Sequence, residues 1–150
     1  MEDIKLYEHK VQYYETDQMG IVHHSNYIRW FEEARTYLLE EIGFGYKKME
    51  EEGIISPVLS VQADYKTMTR YSDIVTIDVK IREYNGIRLT VGYTVSDKET
   101  GEVRCVGETR HCFLDTQGRP LSLKRSYPEI NKLFEKVIER QDKSRYNKCN

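Results

Sequence analysis

Cysteine is scarce in this chain. It occurs three times in 150 residues, and no two cysteines are spaced as a Cys-x-x-Cys pair. That argues against a disulfide framework and against the common thiolate zinc sites. Cys105 and Cys112 fall within what reads as one strand. An odd separation puts them on opposite faces, and a rise of ~3.3 Å per residue keeps them ~23 Å apart, beyond bonding reach. Cys149 lies in a polar tail. Proline also occurs only three times, and there is no low-complexity linker or repeat. Neither charge sign is in surplus: 23 basic residues against 25 acidic ones give a net charge of −2. Nucleic-acid binders usually carry a basic excess, so that class is disfavoured. No apolar run approaches the ~18 residues of a membrane span. Residues 1–10 lack the apolar core of a signal peptide. These absences together lead us to expect a protein of the cytoplasm.

What remains is ordinary globular material, 39% apolar and 32% charged. A chain of this length buries roughly 70% of its unfolded surface and needs no staples. One domain over residues 1–150 is expected.

Tyr7 to Tyr14 reads as a first strand, followed by a loop holding Asp17 and Gly20. A helix is predicted over residues 25–42, with Tyr27, Trp30, Phe31, Ala34, Leu38 and Ile42 as its apolar stripe. Ser25 or Asn26 is placed to cap its start and Gly43 to end it. A short polar helix is predicted over residues 46–52. Residues 54–65 form a strand whose first part, before and around Pro57, is an edge or loop. In residues 74–82, Val75, Ile77, Val79 and Ile81 alternate with polar residues, as a half-buried strand requires. Asn85-Gly86 is a hairpin turn signal, and Leu89, Val91, Tyr93 and Val95 alternate beyond it. A last strand covers residues 103–114. Ser126-Tyr127-Pro128-Glu129 has the form of a capping box opening a C-terminal helix. Residues 142–150 are expected to fray. The sum is an α+β chain: an antiparallel sheet with one long amphipathic helix packed on it.

The most informative stretch is Tyr14-Glu15-Thr16-Asp17-Gln18-Met19-Gly20-Ile21-Val22-His23-His24-Ser25-Asn26-Tyr27. It resembles the active-site loop of the 4-hydroxybenzoyl-CoA thioesterase and tol-pal-associated acyl-CoA thioesterase family. The aspartate, the glycine, the hydrophobic pair, His24 and Tyr27 all fall in place. The resemblance extends over about residues 7–122, including Trp30-Phe31-Glu32-Glu33-Ala34-Arg35 and the Asp64-Tyr65 strand. It implies a hotdog fold, a curved antiparallel sheet wrapped around one long helix. It also implies hydrolysis of an acyl-CoA thioester with Asp17 as catalytic carboxylate, His24 at a pocket position, and no cofactor. It further implies a homodimer or homotetramer in which sheets meet edge to edge. The helix-glutamate branch of that family carries an H-G-G motif, which is absent here, so Glu32 and Glu33 read as surface residues.

The chemistry agrees with that implication. A thiolate with a pKa near ~8.5 departs without a general acid. The site then needs only a carboxylate and a holder for the oxyanion. Asp17 supplies the first. The helix N-terminus around residues 25–27 offers backbone N–H groups and a positive dipole end for the second. Gly20 can take a positive φ in the turn between them. Whether Asp17 acts as nucleophile or as general base is open at this level. Tyr27 is as well explained as core as it is as a ligand contact. Arg82 and Arg88, and with them Arg70, are candidates for the CoA phosphates, since arginine suits bidentate phosphate contacts, although a solvated sheet face is the favoured reading of all three. The adjacent pair His23-His24 lacks metal-ligand spacing, so no metal is expected. Two further classes stay open: a non-catalytic acyl-CoA-binding module, and an acyl-CoA hydratase or dehydratase, although the hydratase spacing of Asp and His is not matched.

Overall fold

The computed structural model describes residues 6–149, with side chains as far as residue 144. Its strands are β1 (Tyr7–Lys10), β2 (Val58–Tyr65), β3 (Ile74–Tyr84), β4 (Arg88–Asp97) and β5 (Val103–Cys112). Its helices are α1 (Ser25–Glu41), α2 (Tyr46–Glu51), α3 (Leu123–Ser126) and α4 (Pro128–Cys149). The strands form one antiparallel sheet in the order β1-β3-β4-β5-β2.

The alternation read from the sequence decides the inner face. Cross-strand registers place Ile77, Val95 and Cys105 in one row, and Ile81, Val91 and Thr109 in another. Trp30, Phe31 and Ala34 of α1 are fully buried against this face. The Phe31 ring stacks on Tyr93 with centroids 4.4 Å apart. That close seating depends on Gly107, opposite Tyr93 in the register. A Cβ there would collide with the Phe31 ring and come within 2.9 Å of the Gln62 carbonyl oxygen.

The Asn85-Gly86 turn forms as its sequence dictates. The Asn85 side chain accepts the Ile87 and Arg88 N–H groups at 2.9 and 2.8 Å, and Gly86 takes a φ of 89°. Helix α4 then crosses the hairpin. Phe134 stacks on Tyr84 at 4.9 Å. The Gln141 amide pairs with both backbone groups of Ile81, at 2.9 and 3.0 Å. β1 pairs β3 only as far as Ile77, so Gln141 satisfies the edge of β3 beyond it.

Four expectations are corrected. The first strand stops at Lys10, because the chain turns into a 3-10 turn at Tyr13–Glu15 instead of continuing to Tyr14. Neither Ser25 nor Asn26 caps α1: the N-cap position is His24, and Asn26 lies buried with its amide on the Glu15 carbonyl oxygen. Ser126 belongs to α3, so the capping box does not form. Tyr127 precedes α4, and its carbonyl oxygen accepts the Asn131 N–H at 3.0 Å. Residues 142–149 are helical rather than frayed. Gln141 on Ile81 anchors the helix immediately before them. The Cys149 side chain and residues 1–5 lie outside the described residues.

Candidate active site

The chain leaves β1 through Val11, whose N–H bonds the Asp73 carbonyl at 2.9 Å. After the 3-10 turn, Thr16 and Val22 form an isolated antiparallel bridge. Asp17 therefore opens a tight loop closed at its base. Its N–H donates to the Ile21 carbonyl at 2.9 Å, and its carbonyl accepts the Gly20 N–H at 3.0 Å. Gly20 has a φ of 76°, which an L side chain rarely adopts. The Asp17 Oδ1 accepts the Met19 N–H at 2.8 Å. This Asx turn orients the carboxylate and leaves Oδ2 without a protein donor among the described residues. Asp17 itself is half-buried.

Helix α1 begins directly after the loop, and its first amides differ from expectation. The Ser25 N–H meets His23 Nδ1 at 3.3 Å, the Asn26 N–H donates to the His23 carbonyl at 3.0 Å, and the Tyr27 N–H to the His24 carbonyl at 3.3 Å. These three are committed. The His24 N–H meets no acceptor among the described residues. It sits where the helix dipole is positive, so it is the amide suited to receive an anion.

Around this point the surface is aromatic. The exposed His24 ring lies 4.2 Å from that of His23 and 6.1 Å from that of Tyr65, centroid to centroid. The Tyr65 hydroxyl donates to the His24 carbonyl oxygen at 3.3 Å. Tyr27 is buried, and its hydroxyl is bonded to Thr69 Oγ1 at 2.9 Å. Burial raises its pKa, with the Thr69 bond pulling the other way. Tyr27 thus forms the floor of the site rather than an open contact. Tyr13, Tyr14 and Met19 project outward, each about three-quarters exposed at 77, 77 and 74%. No cluster of three or more His, Cys, Asp or Glu suited to a metal occurs among the described residues.

One residue of the site was not legible beforehand. Glu15 is buried, with Oε1 accepting from His9 Nε2 at 2.7 Å and from the Gln12 N–H at 2.8 Å. Its Oε2 accepts from Trp30 Nε1 at 2.6 Å. Burial opposes its ionisation, but the bonds from Gln12, His9 and Trp30 outweigh that and lower its pKa. The resemblance takes in Glu15 with the Asp17 loop but gives it no role, and nothing else in the sequence separates it from a surface glutamate. It is buried only because the loop folds back onto Trp30.

The candidate arginines do not gather in one place. Arg70 is exposed and follows Thr69, whose carbonyl oxygen takes the Val22 N–H at 2.8 Å, so it adjoins the Asp17 loop. Arg82 and Arg88 flank the hairpin at the other end of β3. Eight residues of strand between Ile74 and Arg82 amount to ~26 Å. A cavity of about 230 Å3 lies beside the C-terminal half of α1, lined by Tyr7, Tyr37, Leu38, Val79 and Val137 among others. Asp17 is not part of it.

The sheet and its central helix form a hotdog fold, and the Asp17 loop runs directly into the N-terminus of that helix. Residues 11–140 match the family model described as the Thioesterase-like superfamily, and the chain belongs to that superfamily. It is 35% identical over 131 residues to the putative acyl-CoA thioesterase YneP of Bacillus subtilis, covering 87% of this chain and 94% of that protein. It is 29% identical over 104 residues to the acyl-CoA thioesterase YbgC of Haemophilus influenzae, covering 65% of this chain and 76% of that one. Among solved structures, the DHNA-CoA thioesterase of Staphylococcus aureus superposes with a TM-score of 0.85 at 31% identity, over 93% of each chain.

Proposed function

We propose that this protein hydrolyses acyl-CoA thioesters, with Asp17 as the reacting carboxylate and the His24 N–H as the oxyanion donor. The observation that carries this reading is that one loop-helix junction holds two groups with no protein partner among the described residues. One is the Asp17 Oδ2, and the other is the His24 N–H. A thioester carbonyl seated between them develops its negative charge against the helix N-terminus. Its thiolate then leaves without a proton donor. His24 enters through its backbone, while its exposed ring and Tyr65 form a surface for the substrate. The names of YneP and YbgC support the acyl-CoA class. Within that class, the Asp17 loop resembles that of the 4-hydroxybenzoyl-CoA and tol-pal-associated types. CoA phosphates would be met by exposed arginines, with Arg70 beside the loop and Arg82 and Arg88 at the distant hairpin.

Two routes use the same atoms. Asp17 either takes a proton from the water that attacks the acyl carbon, or attacks that carbon itself to form a mixed anhydride that water then opens. In both, the C–S bond breaks and one water is consumed. Its oxygen enters the acid product when water attacks the acyl carbon, and enters Asp17 when water opens the anhydride at the aspartyl carbonyl, the acid then leaving with an Asp17 oxygen. Single turnover in ¹⁸O-water, with label recovered in the Asp17 peptide, establishes the nucleophilic route.

The functional reading is tested by thiol release from a panel of short aliphatic to aromatic acyl-CoAs. Asp17→Asn keeps size and removes charge. It is expected to lower kcat on the order of 10²-fold or more. Thiol release near the wild-type rate in Asp17→Asn would sink the assignment. Acyl-CoA binding without any release by the unmodified protein would favour a binding module, and loss of enoyl absorbance without release would favour a hydratase.

A further inference from the structure

Glu15 is buried, and it holds both stems of the Asp17 loop. Its side chain ties the entering stem to β1 through His9, to the 3-10 turn through Gln12, and to the middle of α1 through Trp30. Its backbone carbonyl ties the leaving stem, accepting the His23 N–H at 2.9 Å and the Asn26 side-chain amide at 2.8 Å. One residue thus receives five donors, spread over the two ends of the segment whose tip carries Asp17. We infer that Glu15 is a positioning residue for the thioesterase reaction, its buried carboxylate fixing where the Asp17 oxygens sit relative to the His24 N–H. This inference rests on the proposed role of Asp17.

The physical reason for a carboxylate here is the donor set. Trp30 Nε1 is a buried donor and the Gln12 N–H a part-buried one, and a buried donor left without an acceptor destabilises the fold. An ionised acceptor bonds about twice as strongly as a neutral one and holds its partners at shorter distance. The observed 2.6 Å to Trp30 is of that kind. His9 approaches Glu33 as well, at 3.5 Å, so it bridges the buried carboxylate to an exposed one. The fold does not depend on this hub alone. The Thr16–Val22 bridge and the Val22-to-Thr69 bond close the loop independently. What Glu15 adds is the exact placement of the loop on α1, and displacement of a reacting group by ~1 Å costs on the order of 10²-fold in rate.

Trp30 is the only tryptophan in the chain, so its fluorescence reports directly on the Glu15 contact. The experiment compares Glu15→Gln and Trp30→Phe with the unmodified protein. Rates are read per folded molecule, at a temperature where thermal melting shows each variant fully folded. Glu15→Gln is expected to shift the Trp30 emission and to lower kcat about 10-fold or more, with KM changed by less than ~3-fold. Trp30→Phe keeps an aromatic ring beside His9 and removes the N–H donor together with the fused pyrrole ring. It is expected to lower kcat in the same direction by a smaller factor. Folded variants with kcat within ~2-fold of the unmodified enzyme would overturn the inference. Should Glu15→Gln fail to fold, Trp30→Phe decides alone: lost kcat supports the role and unchanged kcat rejects it. Asp17→Asn, run in parallel, separates the two readings. An active Asp17→Asn removes the basis of both, whereas an inactive Asp17→Asn beside fully active Glu15 and Trp30 variants rejects positioning alone.

Discussion

The Arg35 guanidinium donates to the Tyr93 hydroxyl at 2.9 Å, inside the layer between α1 and the sheet. Its Nε donates to the Tyr46 hydroxyl at 2.7 Å, and no carboxylate bonds it among the described residues. A buried cation is thus held by phenol oxygens alone. Replacing it by alanine removes both bonds and leaves a cavity. Arg35→Ala is expected to lose about 3 kcal/mol in urea denaturation. Arg35→Met, which refills the space without a charge to desolvate, is expected to lose about 1 kcal/mol. A methionine variant less stable than the alanine variant would contradict this account of the site.

The same chain of bonds continues from Tyr93 to Thr109 at 2.6 Å and from Thr109 to His111 Nε2 at 2.8 Å. Burial, with the nearby Arg35 charge adding to it, pulls the His111 pKa down to about 4. The unfolded chain takes up this proton near pH ~6.5, while the folded one does not until about pH 4. Between those values the unfolded state binds more protons, so this group removes stability as pH falls, by at most about 1.4 kcal/mol per pH unit. His111→Gln keeps a hydrogen-bonding side chain beside Thr109 and does not titrate. Denaturation midpoints measured from pH 7 to pH 5 should fall less steeply for that variant. Equal slopes would place the proton uptake elsewhere.

Most of the sheet was legible because its inner face alternates strictly. Val75, Ile77 and Ile81, and Leu89, Val91, Tyr93 and Val95, are all buried as their spacing demands. The Asp17 loop was singled out by its resemblance to a family's active-site loop, and the positive φ expected at Gly20 is found there. Glu15, Arg35 and His111 were not legible, since each is polar in the sequence and becomes buried only when distant elements close over it. Helix capping failed for a related reason. Ser25 and Asn26 are good caps locally, but Asn26 is drawn into the Glu15 contact and Ser25 into a bond with His23.

The three candidate arginines make opposite spatial commitments, which kinetics can separate. Arg70 lies beside the Asp17 loop, and Arg82 and Arg88 lie at the far hairpin. A lost charge-assisted contact to phosphate is worth roughly 1.5–3 kcal/mol, so Arg70→Glu is expected to raise KM for acyl-CoA about 10-fold or more. A truncated pantetheine thioester, which lacks those phosphates, should be little affected. The converse result, selective loss in Arg82→Glu or Arg88→Glu with Arg70→Glu unchanged, would put the phosphates at the far end of a neighbouring chain.

The last consequence concerns the open side of β2. It is an edge strand, paired only with β5. Its register opposite Cys105 and Thr109 puts Tyr65 and Val61 on the inner face of the sheet. Yet α1 does not cover them: Val61 is 43% exposed and Tyr65 48%, and Val58 and Leu59 beside them are 50 and 49% exposed. An unpaired edge lined with apolar side chains invites another strand, and proteins seldom leave one bare. We therefore expect a second copy to pair along β2, extending the sheet and covering Val61. Because Tyr65 also bonds the His24 carbonyl, the same contact would border the site. Light scattering should give a mass of at least twice 17.8 kDa. Val61→Lys places a charge on the covered face and should shift the protein toward monomer, with thiol release falling in parallel. A unmodified protein that is monomeric at working concentration and fully active would refute the pairing. Oligomers unchanged by Val61→Lys would move the contact away from β2.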